Sequence, residues 1–260
     1  MSRNGDGEGR LSPATMLGIA LALYLLWTLA TYLLEGRIHL LISGDPAARL
    51  TYAVVANLLI GTVAALGIMN VFRRRGGIPR QYFGFQPAGR TLVSIAGAFA
   101  LGLLIFVLQS PVTLDPVVVL NVFAQVFTTS TAEVLVVYAL VGAAGAWLTR
   151  SLGRIPSIIV GIALASVLFG AYHIAHSQPF NTLPLILLLT LVGVVTGVFY
   201  FLVREIYATI VFHNFLALFG VVQSIDPANF QAPNALLLGM MVVTVAVLVG
   251  TEQYLLRRQP

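Results

Sequence analysis

"ATMLGIALALYLLWTLATYLL", residues 14–34, decides the fold. It runs 21 residues without a charge. A helix of that length rises about 1.5 Å per residue and so reaches across the roughly 30 Å hydrocarbon core of a bilayer. It ends in Glu35 with no small-residue cleavage site, so it reads as an uncleaved first span rather than a signal peptide. Similar apolar runs recur at Leu50–Phe72, Leu92–Leu108, Thr131–Leu148, Ile155–His173, Leu183–Val203, Ile206–Val222 and Ala235–Leu256. Turn-rich strings such as "TRSLGRIPS" and "QSIDPANFQAPN" separate them, although only Arg204 and Glu205 part the sixth run from the seventh. The expectation is an all-α polytopic membrane protein with about eight transmembrane helices in one bundle, residues 14–256. A polar, Gly-rich cytoplasmic tail, "MSRNGDGEGRLSP" (1–13), reads as disordered, and 257–260 form a short cytoplasmic end.

Composition agrees. The chain is 58% hydrophobic and 9% charged, too little polarity to cover a water-soluble surface. There is no cysteine, which excludes disulfides and thiolate metal sites. All fourteen basic residues are arginines, and they cluster at the ends of apolar runs, so the net charge of +5 reads as topology and not as a nucleic-acid surface. Only Arg37 and Arg49 fall in the alternate loops, leaving twelve of the fourteen on one side. The positive-inside rule makes that side cytoplasmic. The expected location is therefore integral to a membrane, the cell membrane, with both termini cytoplasmic.

Ionisable groups inside spans are costly and mark functional sites by default. Glu133 stands between long apolar stretches, and three of the four histidines, His173, His176 and His213, belong to apolar runs or to the end of one. Each also has a plainer reading. "STAE" (Ser130–Glu133) fits a capping box that would start the fourth helix. His173 and His176, three apart, could be interfacial residues sharing one helical face, and His213 a satisfied core histidine. One carboxylate with two or three imidazoles is also a legitimate zinc set, but no His-Glu-x-x-His helix is present, so no cofactor or metal is expected. "GVVTG" places Gly193 and Gly197 at a close-packing spacing in the sixth span.

Three short strings resemble the CPBP family of intramembrane proteases, which includes the type II CAAX prenyl endopeptidases and the bacteriocin-processing (Abi) enzymes. "FGAYH" supplies Phe169 and His173 of an F-x-x-x-H motif. "TAEVLVVYA" resembles the family's Glu-Glu…Arg motif with Glu133 as the leading glutamate, but with Val134 and Tyr138 in place of the second glutamate and the arginine. "FHNFLA" resembles H-x-x-x-N with His213 in place and Ala217 where asparagine is expected. The likeness spans about residues 80–220. It implies a glutamate-dependent endopeptidase that hydrolyses a membrane-associated peptide or protein. Glu133 and His173 would activate a water and His213 would face the oxyanion, with Phe169, Tyr138, His176 and Asn214 supporting the site or binding substrate. Asn214, one residue after His213, points about 100° away around the helix and cannot simply replace the missing asparagine. Two other classes compete: an inactive relative serving as a membrane scaffold or immunity factor, and a small proton-coupled transporter. The arginine count sets the site toward the outer half of the bilayer, which argues either against a cytosolic CAAX substrate or against one of the span assignments.

Overall fold

A computed structural model describes residues 9–39 and 46–257. Most of the proposed disordered tail, 1–8, and the end beyond 257 lie outside the described residues. Among the described residues there are helices and no strands, and seven helices are long and apolar enough to cross a membrane. In chain order these are α1 (Pro13–Gly36), α2 (Arg49–Gly76), α3 (Ala88–Leu108, entered through a short turn from Arg80), α4 (Pro116–Leu148), α5 (Arg154–Ala175), α6 (Leu183–Val203) and α8 (Ala235–Arg257). Between the last two lies a shorter apolar helix, α7 (Ile206–Val222). The chain is an integral membrane protein built as a helical bundle.

α1, α4, α7 and α8 start where the sequence supplies a side-chain cap. Ser12 accepts from Thr15 N–H ahead of Pro13, and Asp115 accepts from the N–H groups of Val117 and Val118 ahead of Pro116. Asn234 does the same for Leu236 and Leu237. The brief "RE" junction is a true break: Arg204 turns left-handed (φ 52°) to end α6, and Glu205 caps α7 by accepting from Ala208 N–H. Gly84 (φ 91°) makes this corner possible, because its carbonyl takes the Ile206 N–H and a Cβ there would stand 3.1 Å from that nitrogen.

The main correction concerns α4. It does not begin at Thr131 but at Pro116, and it runs 33 residues through the centre of the bundle, so "STAE" is not a helix start. Asn121, Gln125 and the threonines up to 131 interrupt the apolar run in sequence, yet much of this polarity faces protein rather than lipid. Asn121 donates to the carbonyls of Phe230 and Ala232, each at 2.8 Å, and Thr128 pairs with Thr244 of α8 at 2.8 Å. Thr129 accepts from Asn57 of α2, whose own oxygen takes the Trp27 indole N–H. Directly after Glu133 the helix widens into π turns, Val134–Gly142, all buried.

Buried acids prove more numerous than the apolar pattern suggests. Glu252 accepts from Tyr207 (2.8 Å) and Arg257 (2.7 Å) at the arginine-rich end of the bundle. Glu35, at the opposite end, takes a short hydrogen bond from Ser177 just beyond His176. Burial pushes the Glu205 carboxyl up to about 7. The close-packing glycines act as the sequence implies: a Cβ on Gly193 would lie 3.1 Å from Ser166 Cα and 3.2 Å from the Phe169 ring, so glycine there sets the spacing of α5 and α6.

Candidate active site

Three helices bring the acid and two imidazoles together. Glu133, on α4, is 5% exposed, and His173 and His213 are similarly buried. His213 Nε2 lies 2.9 Å from Glu133 Oε2, and His173 Nε2 lies 3.9 Å from Glu133 Oε1. His213 Nδ1 is 2.9 Å from the Thr196 hydroxyl of α6. His173 Nδ1 is 2.8 Å from the Phe169 carbonyl one turn earlier.

These partners fix the protons. A carbonyl can only accept, so a neutral His173 carries its hydrogen on Nδ1 and turns its Nε2 lone pair to Glu133. A neutral His213 satisfies both of its contacts by donating from Nε2 to the carboxylate and accepting at Nδ1 from Thr196. Both nitrogens of His213 are then engaged. It has no N–H left for an oxyanion, contrary to the role the family resemblance implies for it.

The gap between Glu133 Oε1 and His173 Nε2 therefore separates two acceptors. At 3.9 Å, two hydrogen bonds of about 2.8 Å from a single water would bridge them. The groups lie on a cavity of about 350 Å³ whose other end reaches Arg49, Phe180, Ser224 and Asp226, at the arginine-poor end of the bundle. Its walls differ. α4 contributes Gln125, Thr129, Ser130 and Glu133 along one face, whereas α6 and α7 contribute Leu189, Val192, Leu216, Ala217 and Gly220.

The remaining candidates divide. Phe169 sets its ring edge-on to both imidazoles, with centroids 4.8 Å from His173 and 5.2 Å from His213. His176 lines the cavity, stacks on His173 (5.1 Å) and approaches the Tyr52 hydroxyl at 3.5 Å. Tyr138 packs against Phe169 and His213 without lining the cavity. Asn214 does not line the cavity: its amide donates to the Phe123 carbonyl of α4 at 3.0 Å, because one residue of helical rotation from His213 turns it to a packing face. Among the described residues no three His, Asp or Glu side chains are arranged to hold a metal ion. Sequence reasoning passed over Thr196, whose signal was the one hydroxyl inside "GVVTG". It also read Ser130 only as a cap.

Fold and site together define a class: a polytopic helical membrane protein with a carboxylate and two imidazoles at the floor of a buried cavity. The family model for Type II CAAX prenyl endopeptidase, Rce1-like, matches residues 116–219. That segment opens with α4 and reaches most of the way along α7, so it contains Glu133, His173 and His213. The resemblance to the CPBP family is thereby shown over the helices that build the site, and at family level it supports a CAAX-protease-type intramembrane endopeptidase. No curated protein and no solved structure matches the chain.

Proposed function

We propose that this chain is a glutamate-dependent intramembrane endopeptidase that hydrolyses a membrane-associated peptide or protein. The observation that carries the reading is the 3.9 Å facing pair of Glu133 Oε1 and His173 Nε2, two acceptors at the closed end of a cavity. A water between them donates one hydrogen to each and turns its oxygen lone pair to the scissile carbonyl. As the oxygen–carbon bond forms, Glu133 takes the water's proton and the carbonyl oxygen becomes an oxyanion. Collapse of that intermediate breaks the carbon–nitrogen bond, and the proton held by Glu133 passes to the departing amine. The second proton of the water passes to His173 Nε2 and from there to the amine, so the products are a carboxylate and an ammonium, with Glu133 and His173 returned to their starting states. His213, held by Thr196, keeps the other carboxylate oxygen in place. No metal enters this scheme.

The cavity mouth lies at the end where arginines are scarce. By the positive-inside rule that end is extracytoplasmic, which supports a substrate met from the outer leaflet and not a prenylated cytosolic protein. The inactive-relative reading draws on Val134 and Ala217, which replace polar family residues, and it expects no turnover at all. Both readings meet one assay. The protein is reconstituted in liposomes with internally quenched apolar peptides. Cleavage that falls about 10²- to 10⁴-fold in Glu133→Gln supports the enzyme; cleavage unchanged by Glu133→Gln refutes it.

A further inference from the structure

We propose that Ser130 is a further catalytic residue of this site, its hydroxyl donating to the carbonyl oxygen of the scissile bond as that oxygen becomes an oxyanion. The proposal rests on the endopeptidase reading above. Ser130 lies three residues before Glu133 on α4, on the same face and one turn nearer the cavity mouth. It lines the cavity, is 1% exposed, and its Oγ has no hydrogen-bond partner among the described residues.

Among the described residues Thr28 Oγ1 and Tyr138 OH are also buried without a partner, but neither lines the cavity. Several hydroxyls inside the helices settle on the carbonyl four residues back: Thr131 on Phe127, Ser166 on Ile162, Thr190 on Ile186 and Thr244 on Met240, all at 2.7–2.8 Å. Ser130 makes no such bond, so its donor is unspent.

Elimination points to the same group. An oxyanion needs a hydrogen-bond donor beside the attacked carbon. Both nitrogens of His213 are engaged by Glu133 and Thr196. His173 spends its one N–H on Phe169 and turns a lone pair to the cavity. Thr129 Oγ1 is held toward α2 as the acceptor of the Asn57 amide, whereas Ser130 Oγ is held by nothing among the described residues, and Gln125 is two turns from Glu133. One turn toward the mouth from His213, α7 offers only Ala217, where the related motif has asparagine. One turn toward the mouth from Glu133, α4 offers Ser130. The two helices run antiparallel, so both positions face the same stretch of cavity, and the donor that α7 lacks is supplied from α4.

The test uses the full chain in liposomes with internally quenched apolar peptides and a peptidyl phosphinate as a tetrahedral mimic. Ser130→Ala is expected to lower kcat about a hundredfold with KM nearly unchanged, and to weaken phosphinate binding by a similar factor. Ser130→Thr retains the hydroxyl and most of the rate. Ala217→Asn, added to Ser130→Ala, recovers at least about tenfold, because it returns a donor from the facing helix. The proposal is overturned if Glu133→Gln abolishes cleavage while Ser130→Ala leaves kcat intact. It is equally overturned if Thr129→Val, or His176→Phe, which removes an imidazole whose Nδ1 is also unpartnered at the cavity, causes the loss instead. A wild type that cleaves nothing and binds no phosphinate removes both the endopeptidase reading and this role.

Discussion

Replacing Thr196 by valine keeps the shape of a fully buried side chain and removes only its hydroxyl. That hydroxyl lies 2.9 Å from His213 Nδ1 and is the donor that holds the ring in the tautomer needed by Glu133. Without it, either Nδ1 remains a buried acceptor with no partner, or the hydrogen moves to Nδ1 and Nε2 meets the carboxylate lone pair to lone pair at 2.9 Å. The first outcome costs about 1–3 kcal/mol of stability. The second also releases Glu133 from its restraint, and orienting partners of this kind typically hold about ten- to a hundredfold in activity. Trp27 and Trp147 allow the stability loss to be followed without a label, since intrinsic fluorescence reports unfolding in detergent, and the peptide cleavage assay reports the activity. A domain of this size loses about 2–4 °C of Tm per kcal/mol.

The cycle with Glu133→Gln makes the argument sharper. A glutamine amide offers both a donor and an acceptor, so it satisfies either tautomer of His213. Thr196→Val should therefore cost less stability in the Glu133→Gln background, with a coupling of about 0.5–3 kcal/mol. Thr196→Ser keeps the hydroxyl and should keep turnover. Wild-type Tm and turnover in Thr196→Val, or full additivity in the cycle, would refute the proton assignment.

Gly193→Val drives a side chain into Ser166 and the Phe169 ring. It should lower stability by about 1–3 kcal/mol and reduce cleavage, because Phe169 flanks both imidazoles; thermal unfolding and rate together check this. Asn214→Ala should lower stability, through loss of the Phe123 bond, by about 1–3 kcal/mol, read as a fall in Tm, while the folded fraction cleaves at the wild-type rate. Glu205, raised from 4.5 to about 7, holds its proton more firmly when folded. Its contribution to stability is greatest below pH 4.5, declines as pH rises toward 7, and changes no further above that; the full span is about 3 kcal/mol. Glu205→Gln keeps an acceptor for Ala208 N–H and should flatten unfolding curves across that window.

The bundle was legible because bilayer length and arginine placement are properties of uninterrupted stretches. Most span limits read from apolar runs fall within a few residues of the helices. α4 is the exception, and the reason is physical. Hydropathy rewards side chains that meet lipid, whereas α4 meets protein on nearly every side, so Asn121, Thr128 and Thr129 can sit within it while pairing with neighbouring segments. The same cause hid Ser130, whose neighbours in "STAE" imitate a helix start when read alone. Glu133 and His173 were visible as chemistry out of place. Their tautomers were not, because Thr196 lies on α6 and the Phe169 carbonyl is backbone.

A polar cluster within a membrane bundle has to be kept from lipid, and the sorting of residues in this chain accomplishes that. α4 takes the hydrogen-bonding face of the cavity, while α6 and α7 supply its aliphatic face and α6 turns Leu187, Leu188, Leu191 and Leu202 outward to lipid. The two meet at the closed end through Thr196, His213 and Glu133. At the open end, Asn121 ties the 223–234 segment to α4 through the Phe230 and Ala232 carbonyls and the Asn234 N–H. That segment brings Ser224, Asp226 and Phe230 to the cavity. A peptide drawn into such a space would lay its amides along α4 and its apolar groups along α6 and α7. Its selectivity would then be set by the mouth segment and its chemistry by the floor, which allows the substrate to diverge without moving the acid or the imidazoles.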